Sequence, residues 1–116
     1  MRESIPKFLN GVYSFVGAGY EKPLLLSSKL TYSVPPDKRT QFIYFRAGNS
    51  SDEMIYVVMM RDGMPMRYFA VGARAGTHVP LAVVEDLCPE TKLELLFGAP
   101  AGATGYVVID VGLVEI

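Results

Sequence analysis

The apolar residues of this chain fall into short runs, and Gly/Pro-rich turns separate one run from the next. Within several runs apolar and polar residues alternate, which is the two-residue period of a half-buried β-strand. Leu30, Tyr32 and Val34 alternate with Thr31 and Ser33, and Leu93, Leu95 and Phe97 alternate with Lys92 and Glu94. Thr40 to Ala47 is rich in strand formers, and Tyr106 to Ile116 closes the chain as a strand. Met54 to Met60 is apolar almost throughout, as a central strand covered on both faces requires. No window has the length and period of a long helix.

The punctuation supports the same reading. Pro35-Pro36-Asp37-Lys38 is a turn, and Arg61-Asp62-Gly63-Met64 carries the Asp-Gly signal of a tight hairpin whose return strand runs from Met66 to Val71. Gly48 to Glu53, Gly72 to Gly76 and Gly98 to Gly105 read as loops. Thr77 to Val84 is a strand in which Pro80 demands an edge position or a bulge. Glu85 to Glu90 is either one helical turn or a loop. Residues 1–23 carry Gly11, Gly17, Gly19 and Pro23 and form a peripheral segment with a short strand over 12–16. The sum is seven or eight strands at roughly ten-residue spacing, the signature of an all-β, antiparallel β-sandwich or barrel. The 116 residues suit a single domain, 1–116.

Charge and composition exclude some partners and favour others. Eleven Lys plus Arg against twelve Asp plus Glu leave a formal net charge of -1, so no long-range field draws the chain to nucleic acid or anionic membrane. No run reaches the roughly 18 apolar residues of a spanning helix. Met1-Arg2-Glu3-Ser4-Ile5-Pro6 does not read as a signal peptide, and the lone Cys88 has no internal disulfide partner. Both point to the cytoplasm, although a mature exported protein would read the same way. Half of the residues are apolar and mean hydropathy is +0.24, more apolar surface than a small sandwich core hides. Self-association or a protein partner is the expected outlet for that surface.

The chemistry-bearing residues are few: His78, Cys88 and no tryptophan. Cupin and blue-copper sites need two or three converging His, or His with Cys, so no metal and no cofactor is expected. His78 remains a candidate interface residue at a symmetry axis. Cys88 lies among Glu85, Asp86 and Glu90, whose charges raise a thiol pKa and oppose nucleophilic use. No phosphate loop, nucleophile elbow or dinucleotide fingerprint is present. Asp110 alternates onto one face with Val108 and Gly112, and an acid there needs a partner: Arg46, Arg61 or Arg67. Candidate ligand-binding residues are Tyr44, Arg46, Asn49, Asp52, Arg61, Arg67 and Asp110. Tyr32, Tyr44, Tyr56 and Tyr68 recur at twelve-residue intervals and would form an aromatic stripe on neighbouring strands, which makes Tyr32, Tyr56 and Tyr68 candidate interface residues.

Leu93-Glu94-Leu95-Leu96-Phe97, a Gly-rich loop and then Gly105-Tyr106-Val107-Val108-Ile109-Asp110-Val111-Gly112-Leu113-Val114-Glu115 resemble the end of galactose-binding-like jelly-roll domains, the architecture of many carbohydrate-binding modules. There a penultimate strand is followed by a segment of the form G-x-V-x-I-D-x-V-x-L. This chain has one residue fewer between Asp110 and Leu113. The resemblance covers about the final quarter of the chain. It implies a jelly-roll sandwich that binds a sugar or a partner on its concave face or through its loops. It carries over no binding residue, since such modules stack a tryptophan or tyrosine on the sugar and Trp is missing here.

Three functions follow as expectations. The first is a non-catalytic assembly or interaction module, a homo-oligomer or a small subunit of a complex. The second is a binding module for carbohydrate or another small polar ligand. The third is a small hydrolase-like enzyme that uses Asp52, Glu53 or Asp110 as acid or base.

Overall fold

A computed structural model of the chain describes residues 4–81 and 86–116. The described strands are β1 (Ile5–Val16), β2 (Leu24–Leu25), β3 (Thr31–Ser33), β4 (Thr40–Asn49), β5 (Ile55–Arg61), β6 (Met64–Val71), β7 (Gly76–Pro80), β8 (Asp86–Leu87), β9 (Lys92–Gly98) and β10 (Thr104–Glu115). A 3-10 turn at Ser28–Leu30 stands between β2 and β3. One sheet, A, has the order β1-β10-β4-β7, with β8 also on β4; the other, B, has the order β2-β9-β5-β6, with β3 also on β9. β2 and β3 share one edge position and β7 and β8 another, so ten segments fill eight positions, four in each layer. Every pairing is antiparallel. The first strand lies against the last, and the chain passes between layers in the double Greek-key order of a jelly roll.

Local chemistry explains why these segments pair as they do. At the β5–β6 hairpin Asp62 (φ 50) and Gly63 (φ 81) both take positive φ, the geometry that a two-residue primed turn demands. β5 lies between β9 and β6, and Ile55, Val57, Val58 and Met59 are buried along it, as its unbroken apolar run requires. β7 is an edge strand ending at Pro80, where a missing N–H interrupts no ladder.

The sequence-based boundaries need correction in two places. The N-terminal strand runs from Ile5 to Val16, not only over 12–16, and pairs with β10 along its whole length. Pro6 is tolerated because β1 is an edge strand, and Gly11 (φ 151) takes a backbone conformation that a side chain would strain. This segment also supplies Leu9 and Phe15 to the core. Second, Asp86–Leu87 is a short strand on β4, neither a helical turn nor a loop. Residues 82–84 of the expected strand 77–84, and Glu85, lie outside the described residues.

The core fills the space between the layers. Phe42, Phe45, Ile109 and Leu113 from sheet A meet Val57, Met59, Phe69, Leu93 and Leu95 from sheet B, and all are buried. At one end of the sandwich the Tyr32 hydroxyl donates to the Glu115 carboxylate and shares a hydrogen bond of 3.0 Å with Thr40 Oγ1. Burial first, and then the bond to Glu115, push the Tyr32 phenol up to about 12. It therefore stays protonated and bridges β3 of one sheet to β4 and β10 of the other.

Candidate functional site

The outer face of sheet A is built from rows of residues that the strand register aligns. One row reads Asn10, Asp110, Arg46, His78 across β1, β10, β4 and β7. The row on one side reads Val12, Val108, Gly48, Gly76, and the row on the other reads Phe8, Gly112, Tyr44, Pro80. The side chains alternate with the buried Val107, Ile109 and Val111, so they face outward.

In the polar row, Arg46 Nη2 donates to Asp110 Oδ2 at 2.7 Å, and the Tyr44 hydroxyl donates to Asp110 Oδ1 at 3.1 Å. Both carboxylate oxygens thus hold a donor. The hydrogen bond to Asp110 and its charge raise the Arg46 pKa. Burial, then the hydrogen bond to Asp110, raise that of Tyr44. The Tyr44 ring lies across Gly112, where a Cβ would collide with it. It meets the His78 ring edge-on at 6.1 Å, and the Arg46 guanidinium lies 5.9 Å from its centroid.

Gly48 and Gly76 contribute no side chains to the neighbouring row, and a Cβ on Gly48 would meet nothing within 4 Å. The result is an open depression of about 720 Å³ lined by Asn10, Val12, Arg46, Gly48, His78 and Asp110. One wall is apolar; the other presents a guanidinium, an imidazole, an amide and a carboxylate. Such a surface can take a small polar ligand that also offers an apolar face.

Along the apolar wall of the depression and past it, the same face carries exposed apolar side chains. Phe8, Val12 and Val16 on β1 are 55%, 66% and 63% exposed, and Tyr106 and Val108 beside them on β10 are 60% and 49% exposed. Val12 pairs directly with Val108.

Of the residues that the sequence singled out, Tyr44, Arg46, Asp110 and His78 come together here. The others lie elsewhere. Asn49 is buried, and its amide holds the loop after β4: Nδ2 donates to the carbonyls of Glu53 (2.8 Å) and Gly72 (3.2 Å), and Oδ1 accepts from the Ser51 N–H at 2.9 Å. Asp52 pairs with Arg74 on the surface. Arg61 ends β5, and Arg67 places its guanidinium 5.8 Å from the Phe69 ring, so both belong to sheet B. The tyrosines do not form one stripe, because β4, which carries Tyr44, belongs to sheet A while β3, β5 and β6, which carry the other three, belong to sheet B. Tyr44 faces out from sheet A, Tyr32 is tied to Thr40 and Glu115, and Tyr56 and Tyr68 neighbour each other on sheet B at 5.8 Å. Tyr20 extends that pair, 6.2 Å from Tyr56, and accepts the Tyr56 hydroxyl on its carbonyl. Asn10, Val12, Gly48 and Gly76 join Arg46, His78 and Asp110 at the depression without any signal in the sequence. Nothing local marks them, since only the register of β1, β10, β4 and β7 places them side by side.

No family model matches the chain, and no curated protein matches it. Among solved structures it is similar to a chain from the structure of the infectious bursal disease virus Gx strain, at 16% identity and a TM-score of 0.46. That alignment covers 97% of this chain and 36% of the viral one, so this chain spans about a third of its neighbour.

Proposed function

We propose that this chain is a non-catalytic assembly module that associates with itself through the β1 side of sheet A. The observation that carries the reading is the exposed apolar set on two paired strands: Val12, Val16, Tyr106 and Val108 neighbour one another, and Phe8 lies across the Asn10–Asp110 row from them. Apolar area left in water is unfavourable by about 25 cal/mol per Å², and covering it drives association. The net charge of -1 offers little repulsion between copies.

The test is solution mass by light scattering across a concentration series, with wild type beside Val12→Asp. Val12 is exposed, so the carboxylate has water in the isolated chain and loses it on association. Wild type is expected to form a defined oligomer. Val12→Asp is expected to weaken it about a hundredfold, roughly 2.7 kcal/mol, with an unchanged melting curve. A wild-type monomer at the highest concentrations rejects the reading.

A second reading is supported by the charged row beside its glycine floor: a binding module for carbohydrate or another small polar ligand. The carboxylate–guanidinium pair offers both acceptors and donors to hydroxyl groups, and Val12 with Val108 offers an apolar wall. A glycan array probed with the wild-type chain tests the carbohydrate form; saturable binding supports it, and a silent array rejects it.

A further inference from the structure

We infer that two copies of the chain join edge to edge through β1, antiparallel about a two-fold axis at Val12, so that sheet A runs on from one copy into the other. The inference rests on the self-association reading above and gives it a geometry.

The sheet edges are not equally protected. β7 is five residues long and ends in Pro80. The β2/β3 edge consists of two-residue and three-residue pieces separated by the Ser28–Leu30 turn. β6 carries Pro65 and Arg67, and its pairing with β5 shifts register between Met59 and Met60. Shortness, proline, charge and bulges are the devices by which sheet edges avoid pairing with other chains. β1 lacks most of them. It runs for twelve residues in unbroken register with β10, Pro6 lies near its start, and Lys7 is its only charged residue. Among the described residues no main-chain hydrogen bond reaches it from any strand but β10. The Ser28–Leu30 turn comes close to β1 but makes no such bond to it.

What selects a second copy is the symmetry of the strand itself. Outward from β1 point Phe8, Asn10, Val12, Ser14 and Val16, an order of apolar, polar, apolar, polar, apolar. It reads the same in both directions about Val12. Antiparallel pairing centred there sets Phe8 against Val16 of the other copy, Asn10 against Ser14, and Val12 against Val12. On the inner side Leu9 meets Phe15, and Gly11 meets Tyr13. Apolar therefore faces apolar and polar faces polar on the outer side, as an isologous interface requires. The overlap of residues 8–16 supplies about eight to ten main-chain hydrogen bonds.

Cross-linking tests the register. In a Cys88→Ser background, Val12→Cys places the two thiols on the axis. Directly opposed residues have Cα atoms about 4.5–5.5 Å apart in either hydrogen-bonding phase, within disulfide reach. Mild oxidation is expected to convert most of the Val12→Cys chain to a covalent dimer. Asn10→Cys and Ser14→Cys are each expected to give less than a tenth as much alone, since four residues of offset add about 13 Å, but to cross-link when mixed. An oligomer by light scattering that forms no bond through Val12→Cys overturns the edge geometry and leaves the assembly reading standing. Efficient bonding of Ser14→Cys to itself overturns the axis at Val12. A monomer by light scattering overturns both.

Discussion

Phe45→Ala is expected to remove about 3–5 kcal/mol of folding stability, read as a lower midpoint in urea with little change in slope. Phe45 is fully buried on β4, and its ring stacks on Phe69 of β6 with centroids 4.1 Å apart and planes 8° apart. The stack spans the two layers. Phe69 in turn meets Phe42 edge-on at 5.9 Å, so three rings share one cluster. Truncating one ring of a cluster held by two rigid sheets leaves a cavity that neither sheet can close, and the transfer and cavity terms add. Phe45→Leu keeps most of the volume and is expected to lose less than half as much. A loss below about 1 kcal/mol for Phe45→Ala would mean that the two sheets relax together into the space the ring leaves.

Gly17→Ala is expected to destabilise by about 2–3 kcal/mol although it adds one methyl group. Gly17 follows β1, where its N–H donates to the Ala103 carbonyl at 2.7 Å and its own carbonyl accepts from the Gly102 N–H at 2.9 Å. A Cβ there would collide with the Pro100 carbonyl oxygen and come within 2.9 Å of the Ala99 carbonyl oxygen. Those contacts are backbone, so relief requires moving the β9–β10 loop and breaking the hydrogen bonds that hold it. Gly48→Ala is the control. Its Cβ meets nothing within 4 Å, and replacing glycine inside a strand reduces the entropy of the unfolded chain, so stability is expected to hold or rise by about 0.5 kcal/mol. Thermal melts of the two variants side by side check the contrast. Equal melting temperatures would show that the loop yields freely.

These two positions differ in how far the sequence announced them. Phe45 lies in a run of strand formers, Thr40 to Ala47, that reads as a strand. Gly17 reads only as a helix breaker, because its requirement comes from a loop more than eighty residues away in the chain. The same division runs through the candidate site. Asp110 on an apolar strand announces its need for a cation, since a half-buried carboxylate must be paired. That the cation is Arg46, not Arg61 or Arg67, follows from β4 being the neighbour of β10 in sheet A while β5 and β6 build sheet B. The twelve-residue tyrosine spacing misleads for the same reason: equal separation along the chain does not keep residues in one sheet when the chain crosses between layers.

What the sequence determined by itself was local. Alternation at Leu93, Leu95 and Phe97 makes a strand, and Asp62-Gly63 makes a primed turn, because side-chain period and permitted φ depend only on neighbouring residues. The non-local features came from packing: the order β1-β10-β4-β7, the glycine floor beside the Arg46–Asp110 pair and, among the described residues, β1 as the least protected edge. Register and sheet order are set by how distant runs share one core. That sharing depends on the burial of the whole apolar set at once, which no local window of sequence contains.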